Sequence, residues 1–251
     1  MATLTDLSRR VRARRRIHLP SRRLRIAKTS PVAGREAATR LFLPSGYEAR
    51  HQSDYHDDRP DGEIEYQPGV YARAARIGRH RGARTIIDVG CGHARKLAAL
   101  HPRFRLVGID IGPNIEFCRE RYRFGEWIEH DLETSAALPL EAEQLSGAVI
   151  VCADVIEHLV DPEPALRNLK AASDRADALL ISTPDRDRVP DQPPLGPPAN
   201  RNHAREWSRR ELATLLRWCG FEDGHLTHTR SQTRSLSFET LLYVRDGSSV
   251  A

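Results

Sequence analysis

Cysteine is sparse in this chain. The four that occur, Cys91, Cys118, Cys152 and Cys219, are scattered and make no CxxC pair. That argues against a disulfide framework and a structural zinc site, and fits reduced thiols in a cytoplasmic protein. No apolar run approaches the roughly 18 residues that a membrane-spanning helix needs. No apolar stretch follows the basic N-terminal segment, as a signal peptide would require. Lysine occurs only at positions 28, 96 and 170. Strong compositional bias is also lacking. Of 251 residues, 39% are hydrophobic and 29% charged, enough apolar surface for a core, so disorder of the whole chain is excluded.

The net charge of +5 is unevenly spread. Residues 1–28 hold nine arginines and one lysine against Asp6 alone, and the remainder is slightly acidic. Residues 1–30 therefore read as a basic, disordered arm. Such an arm can meet RNA, DNA or acidic lipid, act as a transit peptide, or stay solvated without a partner. Residues 31–82 read as an N-terminal cap or lid. Its helix starts near Gln67, where Val70, Tyr71, Ala74 and Ile77 recur at helical spacing behind Pro68.

From residue 83 to 251 the pattern alternates strand and helix. Strands are expected at 85–89, 105–110, 126–130, 147–152 and 178–182. Helices are expected around 94–100 and 113–121, and from Asp161, an N-cap followed by Pro162. Near-continuous apolar strands separated by helices specify a parallel sheet covered on both faces, a doubly wound α/β domain. Residues 184–198 carry six prolines and form a long loop, which in a compact domain is usually functional. Ser208 and Glu211 make a capping box, and Leu212, Leu215, Leu216 and Cys219 line one helix face before Gly220. Residues 224–245 read as two antiparallel strands.

The first strand runs into Asp88-Val89-Gly90-Cys91-Gly92-His93-Ala94. Glycines at a strand-to-helix turn allow close backbone approach to a ligand, and helix N-terminal amides favour a negative group. Asp110 ends the next strand, where a carboxylate can accept two ribose hydroxyls. Arg95 stands where a dinucleotide fingerprint needs a third small residue. A nucleoside carrying a small zwitterion fits better than a pyrophosphate.

These residues resemble motif I of class I S-adenosylmethionine-dependent methyltransferases. His130-Asp131-Leu132 is similar to the third-strand motif of that family. Ala153-Asp154-Val155-Ile156-Glu157-His158-Leu159 resembles the post-fourth-strand motif of its small-molecule branch, which includes quinone-biosynthesis and sugar O-methyltransferases. Residues 202–208, 211–212 and 220–221 resemble a later segment of the same branch. The resemblance implies a mostly parallel seven-stranded sheet with an antiparallel C-terminal strand, and S-adenosylmethionine as cofactor. It implies a binding site of Asp88, Gly90, Cys91 and Gly92, then Asp110 with Ile111, Asp131 with Leu132, and Ala153. Asp110 would hold the ribose and Asp131 the adenine amino group.

A hydroxyl acceptor would need a proton acceptor. His158 lies just past the fourth strand, His203 ends the proline-rich loop, and Glu157 can orient either. Arg95 and Lys96 can meet the methionine carboxylate or merely solvate a helix start. Tyr66, Gln67 and Tyr71 flank a helix that can close over the cofactor or simply pack. Cys91 and Cys152 read as small buried residues. His51, His56, Asp57 and Asp58 match no metal motif and read as a polar loop. His225 and His228 fall on opposite faces of a strand. No metal site is assigned. Two other readings stay open: a nucleic-acid or protein methyltransferase using the arm, and a non-catalytic partner. The fourth strand lacks an NPPY-like tetrad, and Asp88, Gly90, Gly92 and Asp110 are intact, which disfavours both.

Overall fold

The computed structural model describes residues 40–51, 68–232 and 237–247. The basic arm, Tyr66, Gln67, and the His56, Asp57 and Asp58 group lie outside them. Among the described residues the elements α1 (Pro68–Arg81), β1 (Thr85–Val89), α2 (Arg95–Ala98), β2 (Arg105–Asp110), α3 (Gly112–Arg121), β3 (Glu126–Glu129), α4 (Ala142–Leu145), β4 (Ala148–Ala153), α5 (Glu163–Ser173), β5 (Ala178–Pro184), α6 (Arg209–Trp218), β6 (His225–Gln232) and β7 (Ser237–Arg245) follow in order. They build one sheet in the order β3-β2-β1-β4-β5-β7-β6. Neighbours from β3 to β5 are parallel. Strand β7 runs antiparallel to both β5 and β6, the arrangement expected of the paired C-terminal strands.

Strand periodicity sorts the core into two layers. Ile87, Val89, Ile150 and Cys152 face one side, against Leu166 and Leu169 of α5 and Leu212, Leu215 and Leu216 of α6. Ile86, Val149 and Val151 face the other, against Val70 and Ala74 of α1, Leu97 of α2 and Ile115 of α3. Because both faces are covered, the central strands read as continuous apolar runs, and all five residues of β1 are buried.

Local signals set the boundaries. The Ser208 hydroxyl accepts the Glu211 amide at 3.4 Å, and Glu211 Oε2 accepts the Ser208 amide at 2.9 Å, so α6 starts at the expected capping box. Helix α5 starts at Glu163, whose amide is accepted by Asp161 Oδ1 at 3.2 Å. Helix α2 is a single turn where a longer helix was expected; Ala94, in the left-handed region at φ 50°, precedes it, and it ends at Ala98. The short α4 carries a Glu141–Gln144 capping box that the sequence reading missed.

Residues 40–51 strap the proline-rich loop. The Arg50 guanidinium donates to the carbonyls of Asn200, His203 and Pro198 at 2.9, 2.8 and 2.6 Å. The Glu48 amide donates to the Leu195 carbonyl at 2.7 Å. Beneath this strap, Trp207 is fully buried and its Nε1 donates to the Leu41 carbonyl at 3.1 Å. A long loop with its backbone groups tied at both ends can hold fixed positions. It thereby delivers residues 200–206 to the carboxyl end of β4.

Candidate functional site

The sheet order reverses between β1 and β4. Ligands of open α/β sheets bind at the carboxyl ends of strands beside such a point. Gly90, Cys91 and Gly92 follow β1, Asp110 and Ala153 end β2 and β4, Glu157 and His158 come after β4, and Asp131 with Leu132 follow β3 at the edge of the sheet.

The turn after β1 is shaped by Gly90 at φ +80° and Gly92 at φ +53°, values that side chains rarely tolerate. A Cβ on Gly90 would stand 2.4 Å from Val155 Cγ2. Gly90 therefore lets the turn after β1 touch the loop after β4. Asp88 is fully buried, and its Oδ2 accepts the Tyr71 hydroxyl at 2.8 Å. Burial, then the Asp88 charge, pushes the Tyr71 phenol well above its ordinary range, so Tyr71 is a permanent donor. Lys96 Nζ sits 5.4 Å above the Tyr71 ring centroid. Helix α1 thus closes on the glycine turn through a specific hydrogen bond.

Asp110 joins the ends of β1 and β2. Its Oδ2 accepts the Gly92 amide at 2.7 Å. Its Oδ1 accepts the Ile111 amide at 2.8 Å and the Asn114 side-chain amide at 3.3 Å. An ionised carboxylate has about four lone-pair sites. Asp110 is only partly buried, so a ribose can reach its carboxylate from the crevice, and a diol would displace one of the donors now bound there. The glycine turn beside it has the close approach that a ribose and its flanking zwitterion require. The residues present thus fit S-adenosylmethionine. Next to Asp110, the His130 amide donates to the Asp110 carbonyl at 3.0 Å. Asp131 Oδ1 accepts the Glu133 amide at 3.0 Å in a turn, and Leu132 is buried.

Cys91 is buried and its thiol is pushed well above its ordinary range, chiefly by the Cys118 thiol and then by burial. Burial does the same to Cys152. Neither is poised as a nucleophile. His225 contacts Arg73 at 3.1 Å, while His228 contacts Asp185 at 2.8 Å, so the two histidines serve different partners.

Beyond β4 the catalytic candidates converge. Glu157 is fully buried, and its Oε2 accepts the Thr183 hydroxyl at 2.9 Å. Burial, reinforced by Asp154 and Glu206, raises the Glu157 carboxyl well above the usual carboxylate range. The Glu157 carbonyl accepts the Ala204 amide at 2.7 Å, which ties the proline-rich loop to the end of β4. The His158 and His203 rings then meet edge to face, with centroids 4.7 Å apart. His158 Nδ1 lies 3.0 Å from the Asn202 carbonyl, and His203 Nδ1 lies 2.5 Å from Glu206 Oε1.

Two residues escaped the sequence reading. Asp154, after Ala153, has φ 54° and accepts the Ser182 hydroxyl at 3.3 Å. A left-handed aspartate at a strand end is an uncommon conformation that clusters at functional loops. Glu206 orients His203. Its signal was the His203-Glu206 spacing, legible only once the loop is known to turn there.

The profile of a family described as a methyltransferase domain matches residues 59–226. Two Mycobacterium tuberculosis proteins, each named "Probable S-adenosylmethionine-dependent methyltransferase", are 32% identical over 144 residues, 56% of this chain and 50% of theirs. The chain spans about half the length of these curated relatives. Among solved structures, the methyltransferase domain of the bacterial CtHen1-CN protein is 19% identical, with a TM-score of 0.50 over 71% of this chain and 97% of that one. The YcgJ protein from Bacillus subtilis is 14% identical, with a TM-score of 0.50 over 70% and 97%. The chain belongs to the methyltransferase-domain family and carries the class I S-adenosylmethionine-dependent fold.

Proposed function

We propose that this chain transfers a methyl group from S-adenosylmethionine to a hydroxyl oxygen of a small-molecule acceptor. The observation that carries this reading is the meeting of Glu157, His158 and His203 at the carboxyl end of β4, beside the turn that Gly90 packs against Val155. In this reading residues 83–251 form the catalytic unit, and residues 31–82 cap its acceptor side.

The bound cofactor supplies a methyl carbon made electrophilic by its sulfonium charge. Asp110 accepts the ribose hydroxyls while holding the Gly92 amide. Asp131 would meet the adenine amino group, and Ile111, Leu132 and Ala153 would complete the cofactor site. Alignment of acceptor oxygen and methyl carbon supplies most of the rate enhancement. The strap of residues 40–51 and the proline-rich loop keep water out.

Removal of the hydroxyl proton falls to the cluster after β4. Each histidine donates from Nδ1, to a carbonyl or a carboxylate. That tautomer places the ring lone pair on Nε2. Among the described residues no helix is long and apolar enough to cross a membrane, and the buried free thiols suit a cytoplasmic setting.

The test is incubation with methyl-labelled cofactor and a panel of hydroxylated metabolites, with products identified by mass spectrometry. An O-methyl ether is expected. Label confined to nucleic acid, protein or amines overturns the assignment.

A further inference from the structure

The segments that enter β1, β2 and β3 lie at the amino ends of these parallel strands, opposite the crevice. They are residues 79–84, 101–105 and 121–125, and they form one continuous rim. The Arg105 amide donates to the Arg84 carbonyl at 2.9 Å. The His101 and Phe124 rings stack with centroids 4.1 Å apart and planes at 18°. The end of α1 meets the second segment at Gly78, where a Cβ would stand 3.0 Å from the Phe104 ring.

Arginine crowds this rim. Arg79, Arg84, Arg103, Arg105, Arg121 and Arg123 are all exposed. None of them has a hydrogen bond or ion pair to a carboxylate among the described residues. Arg81 beside them is engaged by the Asp246 carbonyl. The neighbouring acids are Glu120 and Glu126, and Glu126 is taken by the Gln144 side-chain amide at 2.9 Å. Helix α4, with Glu141 and Glu143, packs its Leu145 into the other core layer. The chain beyond residue 28 is slightly acidic, so arginine content alone does not produce this excess; the charges are segregated. Like charges held together repel one another, and a polyanion relieves that repulsion.

Aromatic groups are interleaved with the charges. Phe124 is 45% exposed even with His101 stacked on it. The Arg121 guanidinium lies 5.7 Å from the Tyr122 ring centroid. Guanidinium forks match phosphate oxygens in pairs, and an open aromatic ring accepts a stacked base. An acidic peptide would use the charges alone.

We propose that this rim binds single-stranded nucleic acid, with the arginines on successive phosphates and a base stacked on Phe124. Strand β1 has five residues, so the rim stands roughly 15 Å from the glycine turn. The rim thus holds a strand away from the methyl donor, and the site stands whether or not the crevice methylates a hydroxyl. Contacts to backbone and base faces make sequence preference weak.

The test uses the full chain with fluorescein-labelled oligouridylate and oligothymidylate of about twelve nucleotides. Fluorescence anisotropy reads binding over a series of salt concentrations. Circular dichroism reports folding, and calorimetry with S-adenosylhomocysteine reports the crevice. Saturable, salt-sensitive binding is expected, and the tighter probe identifies RNA or DNA as the ligand. Arg103→Gln, Arg105→Gln, Arg121→Gln and Arg123→Gln combined should weaken binding at least tenfold. The salt slope should fall by about 2–3, since each phosphate contact on a single strand contributes roughly 0.7. Phe124→Ala should weaken binding about fivefold or more and leave the slope unchanged. The basic arm is kept in every variant, so equal affinity in the parent and the combined variant assigns binding to the arm and overturns the rim. Displacement of S-adenosylhomocysteine by the oligonucleotide also overturns it, as does retention on phosphatidylserine vesicles without binding to either probe.

Discussion

The backbone amide of Gly92 donates to Asp110 Oδ2 at 2.7 Å. This bond links the turn after β1 to the end of β2, so the residue that shapes the backbone cradle and the carboxylate proposed to hold the sugar are braced against each other. Asp110 also accepts the Ile111 amide, which holds its carboxylate at the rim of the crevice. Preorganisation of this kind lowers the ordering cost of binding.

Gly90 is the steric centre of the site. Gly90→Ala forces a Cβ to within 2.4 Å of Val155 Cγ2 at a φ of +80°. Overpacking and backbone strain together are expected to cost about 2–4 kcal/mol. Urea denaturation reads the loss, and calorimetry should show weaker S-adenosylhomocysteine binding. Val155→Ala added to Gly90→Ala should recover part of the stability. No recovery would mean that Val155 is not the obstacle.

Tyr71→Phe removes one buried donor from Asp88 and leaves the ring packed. The expected cost is about 1–3 kcal/mol, the range for loss of a donor to a buried charged acceptor. Cofactor-product affinity should fall as well, because Asp88 precedes the glycine turn. Unchanged stability and affinity would show that α1 closes on the site by packing alone.

Glu157 gives the chain a characteristic pH dependence. Its carboxyl is raised above the ordinary 4.5 by burial first, then by Asp154, so the folded state binds its proton more tightly than the unfolded state. The contribution of Glu157 to stability therefore falls as pH rises from about 4.5, and stops falling above the folded-state value. The slope from one such group is at most about 1.4 kcal/mol per pH unit. Glu157→Gln removes this slope. The variant should be more stable than the parent at pH 7–8 and similar to it near pH 4. A variant less stable than the parent at neutral pH contradicts this.

Much of the fold was legible because its signals are local. The apolar run of β1, the glycine turn and Asp110 stand at fixed offsets, and the Ser208–Glu211 box marks the start of α6 unaided. Helix α2 spans only Arg95–Ala98 where 94–100 was expected: the left-handed Ala94 delays its start by one residue, and it ends at Ala98. Asp131 was legible as a strand-end acid, and its hydrogen bond to the Glu133 amide shows it also serves a turn. The meeting of His158 with His203 was not legible. It depends on the path of a proline-rich loop held by Arg50, and a strap between distant segments leaves no periodic trace. The left-handed Asp154 was likewise hidden, since its hydrogen bonds to Ser182 join residues 28 positions apart.

The central claim is that Asp110 holds the sugar of the methyl donor while bracing the glycine turn. Calorimetric titration of Asp110→Ala with S-adenosylhomocysteine tests it most directly, with circular dichroism confirming the fold. Affinity at least tenfold below that of the unmodified chain is expected, from the loss of charge-assisted hydrogen bonds worth about 1.5–3 kcal/mol each. A folded Asp110→Ala chain that binds S-adenosylhomocysteine as tightly as the parent would contradict the claim.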